Sequence, residues 1–117
     1  MSLSWEQVIV EAIDPQGLGR WWLEMLDWVV VNDDPTEFEI RPAIDRMPGL
    51  LFVPVNHPKR DKNRLHLDFR PDDHDREVER ALALGARSID IGQGNVTWQV
   101  LADPEGNEFC ILSSPAA

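Results

Sequence analysis

The sequence has no tyrosine and only one cysteine. No disulfide can close within the chain, and a lone thiol fits a reducing compartment. Positive charge is scarce. Eleven Lys and Arg stand against 21 Asp and Glu, a formal net charge of −10 with pI near 4.5, whereas holding a phosphate backbone requires a basic face that neutralises it. Nucleic acid is therefore not an expected partner. The one cationic cluster, Lys59-Arg60-Asp61-Lys62-Asn63-Arg64, carries an acid inside it and reads as a solvated linker. No apolar run approaches the ~20 residues of a membrane span, and the N-terminus shows neither the basic nor the apolar region of a signal peptide. The expected setting is cytoplasmic, away from membranes. A phosphate loop is also missing: Gly92-Gln93-Gly94 has no helix after it and reads as a turn.

What remains is a globular composition. With 117 residues and 43% hydrophobic residues, the chain is expected to form one domain over 1–117 with a real core. Its clearest local signal is at the end. Val96 to Ala102 and Asn107 to Leu112 are β-rich runs flanking Asp103-Pro104-Glu105-Gly106, with Pro at the second place of a turn and Gly at the fourth, which predicts a hairpin.

Taken in order, Trp5 to Ile13 reads as a strand, and Asp14-Pro15 as an N-cap followed by Pro at the first helical position. Leu18, Trp21, Trp22, Met25 and Leu26 then recur at helical spacing and mark one broad apolar face, assigned to the core with Trp28. Strands are predicted over Trp28 to Val31, Glu37 to Arg41 and Leu50 to Val55, the last placed at an edge or bulge by Pro54. After a polar stretch the order repeats. Arg64 to Arg70 alternates as a half-buried strand, and Pro71-Asp72-Asp73 opens a helix with an apolar stripe of Val78, Ala81 and Leu82 that stops at Gly85. A strand over Arg87 to Ile91 and the closing hairpin complete it. Each half is strand, helix and three strands: module one over 4–56, a linker at 57–63, and module two over 64–113. Gln7 lies seven residues before Asp14, as His66 lies seven before Asp73. Val53 and Cys110 each lie four after a glycine.

With Ala12-Ile13-Asp14-Pro15 and Leu26-Asp27-Trp28 early, Asn63-Arg64-Leu65-His66-Leu67-Asp68 midway and Asp103-Pro104-Glu105-Gly106-Asn107-Glu108-Phe109-Cys110 late, the chain resembles the vicinal oxygen chelate superfamily. More narrowly it is similar to glyoxalase-like domain proteins, grouped with glyoxalases, bleomycin-resistance proteins and dioxygenases. The resemblance implies an α+β fold in which two βαβββ modules form curled mixed sheets around a cleft with helices outside, a small-molecule ligand in the cleft, and a homodimer.

Strand parity leaves Trp5, Gln7, Ile9 and Glu11 on the cleft side of the first strand, His66 and Asp68 on that of the fifth, and Glu108 and Cys110 on that of the eighth. Parity does not decide between Trp98 and Gln99. Trp5 is a candidate for stacking on a planar ligand. The four ligand places of the superfamily's metal enzymes are matched by Gln7, Val53, His66 and Cys110. Val53 has no donor atom and Cys110 replaces a carboxylate, so no complete metal site and no cofactor are expected; the alternative is a divalent ion such as Zn held by Gln7, His66 and Cys110. Cys110, between Phe109 and Ile111, reads first as an inert small hydrophobe. His66 is the leading ligand-binding residue and equally a structural hydrogen-bonding imidazole, whereas His57 and His74 read as solvated. Glu11 and Asp68 are candidate proton carriers, or ion-pair partners of Arg64 or Arg70. Two functions follow. One is a glyoxalase-like small-molecule binder that needs no metal, its ligand unidentified. The other is a metal-dependent lyase, isomerase or dioxygenase acting on a substrate with paired oxygens. Whether the chain is an enzyme stays open.

Overall fold

A computed structural model of the chain describes residues 2–90 and 98–115. The turn read at Gly92-Gln93-Gly94, the last residue of the strand expected to end at Ile91, and Val96-Thr97 lie outside the described residues. The chain falls into two units, residues 1–58 and 59–117. No helix among the described residues is long and apolar enough to cross a membrane.

The first unit is a four-stranded sheet with one helix. Its elements are β1 (Gln7–Ala12), α1 (Pro15–Leu26), β2 (Val29–Asp34), β3 (Glu37–Arg41) and β4 (Gly49–Pro54), and the strand order is β1-β4-β3-β2. β1 runs parallel to β4, and the other pairs are antiparallel. The order places β4 in the interior of the sheet, not at the edge that was one of the two places, edge or bulge, expected from Pro54. Proline is tolerated because it is the last strand residue, where Val55 takes over the ladder by donating to the Ala12 carbonyl at 3.0 Å. β2 also runs further than expected. Asn32, Asp33 and Asp34 pair with β3 after a one-residue register shift at Val31, and Asp34 closes the turn by accepting from the backbone of Thr36 and Glu37 at 2.9 Å.

Asp14 caps α1 as its sequence position predicts, its carboxylate accepting from the Gly17 amide at 3.0 Å. The helix buries Leu18, Trp22 and Met25, with Trp21 and Trp22 meeting edge to face. It lies on the sheet face that carries Phe38, Ile40 and Phe52, all fully buried. Gly19 permits that approach: a Cβ there would stand 2.1 Å from the Phe38 ring.

The second unit repeats the plan with β5 (Leu67–Phe69), α2 (His74–Ala83), β6 (Arg87–Ser88), β7 (Gln99–Ala102) and β8 (Glu108–Ile111), in the order β5-β8-β7-β6. β5 is parallel to β8, matching β1 and β4. It is only three residues long, shorter than the predicted Arg64 to Arg70. Leu65, expected against the helix, is 88% exposed because the chain bends at Arg64-Leu65 before the strand starts. Asp73 caps α2, accepting from the Arg76 amide, and Ala86 donates back to Ala81 beyond Gly85 to end it. Of the predicted stripe only Ala81 is fully buried, while Leu82 is 43% exposed. His74 is not solvated. Its Nδ1 lies 2.8 Å from the Leu112 carbonyl, which ties the helix start to the strand end.

The predicted hairpin forms around the fully buried Asp103. Its carboxylate accepts from the backbone N–H groups of Glu105 and Asn107 at 2.9 and 3.0 Å and from the Asn107 amide, while Gly106 adopts φ +89°, a backbone that a side chain would strain. The cationic stretch before β5 is also not a free linker. Lys59 pairs at 2.9 Å with Glu108, itself buried, and the Asn63 amide donates to the same carboxylate at 2.9 Å.

Candidate functional site

The parallel register of β5 and β8 builds the site. Asp68 is the partner of Cys110, with Leu67 opposite Phe109 and Phe69 opposite Ile111. The two apolar pairs turn one way and pack Phe69 edge to face on Phe109 at 6.1 Å between centroids. Asp68 and Cys110 turn the other way, and alternation brings His66 to their side. The same rule settles β7: Gln99 is opposite Ile111 and Val100 opposite Cys110, so Gln99 shares the helix-covered face and reaches the Ser88 hydroxyl. Trp98 precedes β7 at a bend and is 40% exposed.

On that face the donor atoms of His66, Asp68 and Cys110 all lie within 4.8 Å of one another. His66 Nε2 lies 3.2 Å from Asp68 Oδ1, and the Cys110 thiol hydrogen-bonds the same carboxylate. Imidazole and carboxylate are about half exposed while Cys110 is 2% exposed. Burial, then the Asp68 charge and its hydrogen bond, push the thiol up to about 11. At neutral pH it is therefore a protonated thiol and a poor nucleophile, in line with the inert reading of Cys110. Arg70, expected to neutralise Asp68, instead donates to the Ser113 carbonyl at 2.7 Å.

The remaining candidates lie in the first unit. Trp5 precedes β1 and is 65% exposed. Gln7 begins β1 opposite Gly49, and Glu11, exposed, stands opposite Val53. Gln7 and Val53 share a face but are four residues apart in register, roughly 13 Å along the strands. The register shows that the two spacings do not describe one set of counterparts. Glu11 and Val53 pair as Asp68 and Cys110 do, so Val53 has Ile9 where Cys110 has His66, while Gln7 stands in that relation to Leu51. The offset arises because Glu11 lies three positions before the cap Asp14 and Asp68 five positions before the cap Asp73. In the first unit the counterparts of imidazole, carboxylate and thiol are thus Ile9, Glu11 and Val53, with one donor side chain among them. Sequence parity had placed His66, Asp68 and Cys110 on one side. It missed that Asp68 stands directly across from Cys110, which depends on register.

Chemically the group is a carboxylate hub with an accessible imidazole and a buried thiol. Its fit to the metal that the resemblance implies is specific. The four-place centre does not fit, because Val53 offers nothing to a cation. Three donors of N, O and S type within 4.8 Å do suit a borderline ion such as Zn with a fourth position open.

A family profile described as a glyoxalase-like domain matches residues 7–112. No curated protein matches. Among solved structures the chain is similar to a glyoxalase/bleomycin resistance protein/dioxygenase family enzyme from Burkholderia phytofirmans PsJN, at 18% identity over 91% of this chain and 94% of that one, TM-score 0.68. TnmS3, an antibiotic binding protein from Streptomyces sp. CB03234, is 21% identical over 98% and 99% of the two chains, TM-score 0.64. Oxidase ChaP-H1 is 21% identical over 97% and 98%, TM-score 0.69.

Proposed function

Because the chain belongs to the glyoxalase-like domain family, we propose that it is a small-molecule-binding protein whose second-unit sheet face anchors the ligand through His66. The supporting observation is the half-exposed imidazole held by Asp68 at 3.2 Å. It offers a positioned polar group on a sheet face, the kind of anchor that ligand sites combine with apolar area. An antibiotic binding protein among the similar folds agrees with this reading. Localisation to the cytoplasm, a homodimer, and ligand contacts by Trp5 and Gln7 belong to the same proposal. A thermal-shift panel of bleomycin, aromatic antibiotics, catechols and small vicinal diketones tests it. A ligand at 100 times its Kd stabilises by about 2.7 kcal/mol, so a member that raises the wild-type midpoint and fails with His66→Ala supports the reading. A hit unaffected by His66→Ala removes His66 from it.

The second reading, a metal-dependent lyase, isomerase or dioxygenase, draws on the donor group His66, Asp68 and Cys110. A bound divalent ion would be held by these three and would supply Lewis acidity toward paired substrate oxygens. The chain's own part is to hold the imidazole in place and keep the thiol from water. Glu11 and Asp68 are the carboxylates of this reading that would move a proton, and Glu11 is the one not already bridging other site residues.

A further inference from the structure

We infer that Glu108 is a positioning residue for the ligand anchor: it clamps the coil over residues 59–65 onto the sheet and so fixes where His66, the next residue, presents its ring. The inference rests on the small-molecule reading above and adds to it the group that holds the anchor in place. The coil has little else to seat it. Residues 59–62 and 64–66 are exposed, Leu65 at 88%, so the segment buries no apolar side chain that would order it. Its polar contacts with the sheet, among the described residues, end on Glu108. Lys59 Nζ lies 2.9 Å from Glu108 Oε2, and the Asn63 backbone N–H donates to Oε1 at 2.9 Å. The Asn63 side-chain amide donates to Oε2 at 2.9 Å and accepts from the Glu108 N–H at 3.3 Å.

The clamp stands on the ligand face itself. Glu108 and Cys110 are two positions apart on β8, so they share a face at about 7 Å along the strand, and Asp68 is the partner of Cys110. The Glu108 side chain is 6% exposed and still ionised at neutral pH: burial raises its carboxyl, but the bonds from Lys59 and Asn63 hold it below its ordinary 4.5. An apolar residue would fill this buried place without the desolvation cost, since a buried ion pair adds little net stability over a well-packed hydrophobic one. What a carboxylate adds is direction. It accepts at fixed places from Lys59 and Asn63, four positions apart in the chain, and so selects one path for the backbone into His66. Asp68 meets the imidazole at 3.2 Å but follows it in the chain, so it does not set how the coil arrives.

Backbone relaxation by NMR on the full chain, labelled with nitrogen-15 and with no ligand added, is the test. Wild type is expected to show rigid order through residues 60–66, an order parameter of about 0.85. Glu108→Gln, which keeps the shape and loses the charge, and Lys59→Met should each bring 60–66 below about 0.6, the flexible range, while β7, β8 and α2 keep wild-type values. Lys59→Arg keeps a cation on Glu108 and should leave the order intact. Ala81→Gly is the control: it weakens α2 at its fully buried residue, lowers the stability of the same unit, and should leave 60–66 ordered. Binding gives a second readout. For a panel member that depends on His66, Glu108→Gln should raise Kd ~10-fold or more, as expected when the anchor is in place about a tenth of the time, and Ala81→Gly should not. Wild-type order at 60–66 in folded Glu108→Gln, or lost order with an unchanged Kd, overturns the inference, as does equal loss of order in Ala81→Gly. A panel in which no hit depends on His66 overturns the small-molecule reading instead, and the order parameters then still decide whether Glu108 fixes the coil.

Discussion

Asp68 does the most at the residue scale, because one carboxylate meets the imidazole two residues before it and the thiol across the ladder. Its effect on Cys110 is open to measurement. Burial first, then the Asp68 charge and hydrogen bond, hold the thiol at about 11 against an ordinary value of 9.0. In metal-free protein Cys110 should therefore resist iodoacetamide at pH 8 while unfolded protein reacts, and Asp68→Ala should speed the native reaction by removing two of the three causes. Equal rates for wild type and Asp68→Ala would show that burial alone protects the thiol. The linkage has a definite sign: a folded-state value raised above the unfolded one stabilises the protonated thiol's fold fully below pH 9 and loses that contribution as pH rises through 9 toward 11. Little of this was legible in the sequence. His66, Asp68 and Cys110 could be put on one side by alternation, but which acid meets which thiol is set by register between strands forty residues apart, and register follows from packing of Leu67, Phe69, Phe109 and Ile111.

At the scale of the element, the helix starts and the final turn were readable because each is fixed by local bonds: Asp14 and Asp73 cap, and Asp103 draws its turn closed. Pro54 misled because its rule concerns a missing N–H, and that N–H is not needed at a strand's last residue. Leu65 misled because alternation cannot show where a strand begins. Gly19 tests how tightly α1 is seated. Helix propensity alone would make Gly19→Ala stabilising by about 1 kcal/mol. The new Cβ would sit 2.1 Å from a Phe38 ring that is fully buried and cannot swing away, and overpacking of that kind costs about 1–3 kcal/mol. The clash wins, so urea unfolding should find the variant less stable than wild type; a gain would mean that α1 stands further from β3. The strap from Lys59 to Asn63 is a second case. Burial raises the Glu108 carboxyl, but Lys59 and the Asn63 amide outweigh it and hold it below its ordinary value of 4.5. A lowered folded-state value contributes stability above pH 4.5 that is lost as pH falls. Glu108→Gln should reduce stability at pH 7 by about 1–3 kcal/mol and flatten its decline between pH 5 and pH 3, which denaturant titrations at those three pH values would show.

On the scale of the whole molecule, the duplication was visible from element order alone, and the two sheets repeat it, β1-β4-β3-β2 and β5-β8-β7-β6. Counting from the helix caps and counting from the glycines give correspondences that differ by two positions, since loop length is free to vary where strand pairing is not. The repeat is also chemically lopsided: Ile9 and Val53 occupy the places of His66 and Cys110, so polar function is concentrated in one unit while the other presents more apolar surface. Charge is a property neither unit owns. With a net charge of −10, mutual repulsion among carboxylates opposes the compact state, and ion pairs such as Arg20–Asp33 at 2.6 Å, both side chains well exposed, offset only a fraction of it, since exposed pairs contribute about 0–1 kcal/mol. Salt screens both, but 21 acids stand against 11 bases. Raising ionic strength from about 0.01 M to about 0.15 M shortens the screening length from roughly 30 to 8 Å, and the thermal midpoint at pH 7 should rise by a few degrees, about what 1 kcal/mol produces in a chain of this size. Sodium chloride and potassium chloride should act alike, because the effect is one of screening. A midpoint that falls with added salt would mean that the paired charges, including the buried Glu108 with Lys59, contribute more to the fold than the excess of acid removes.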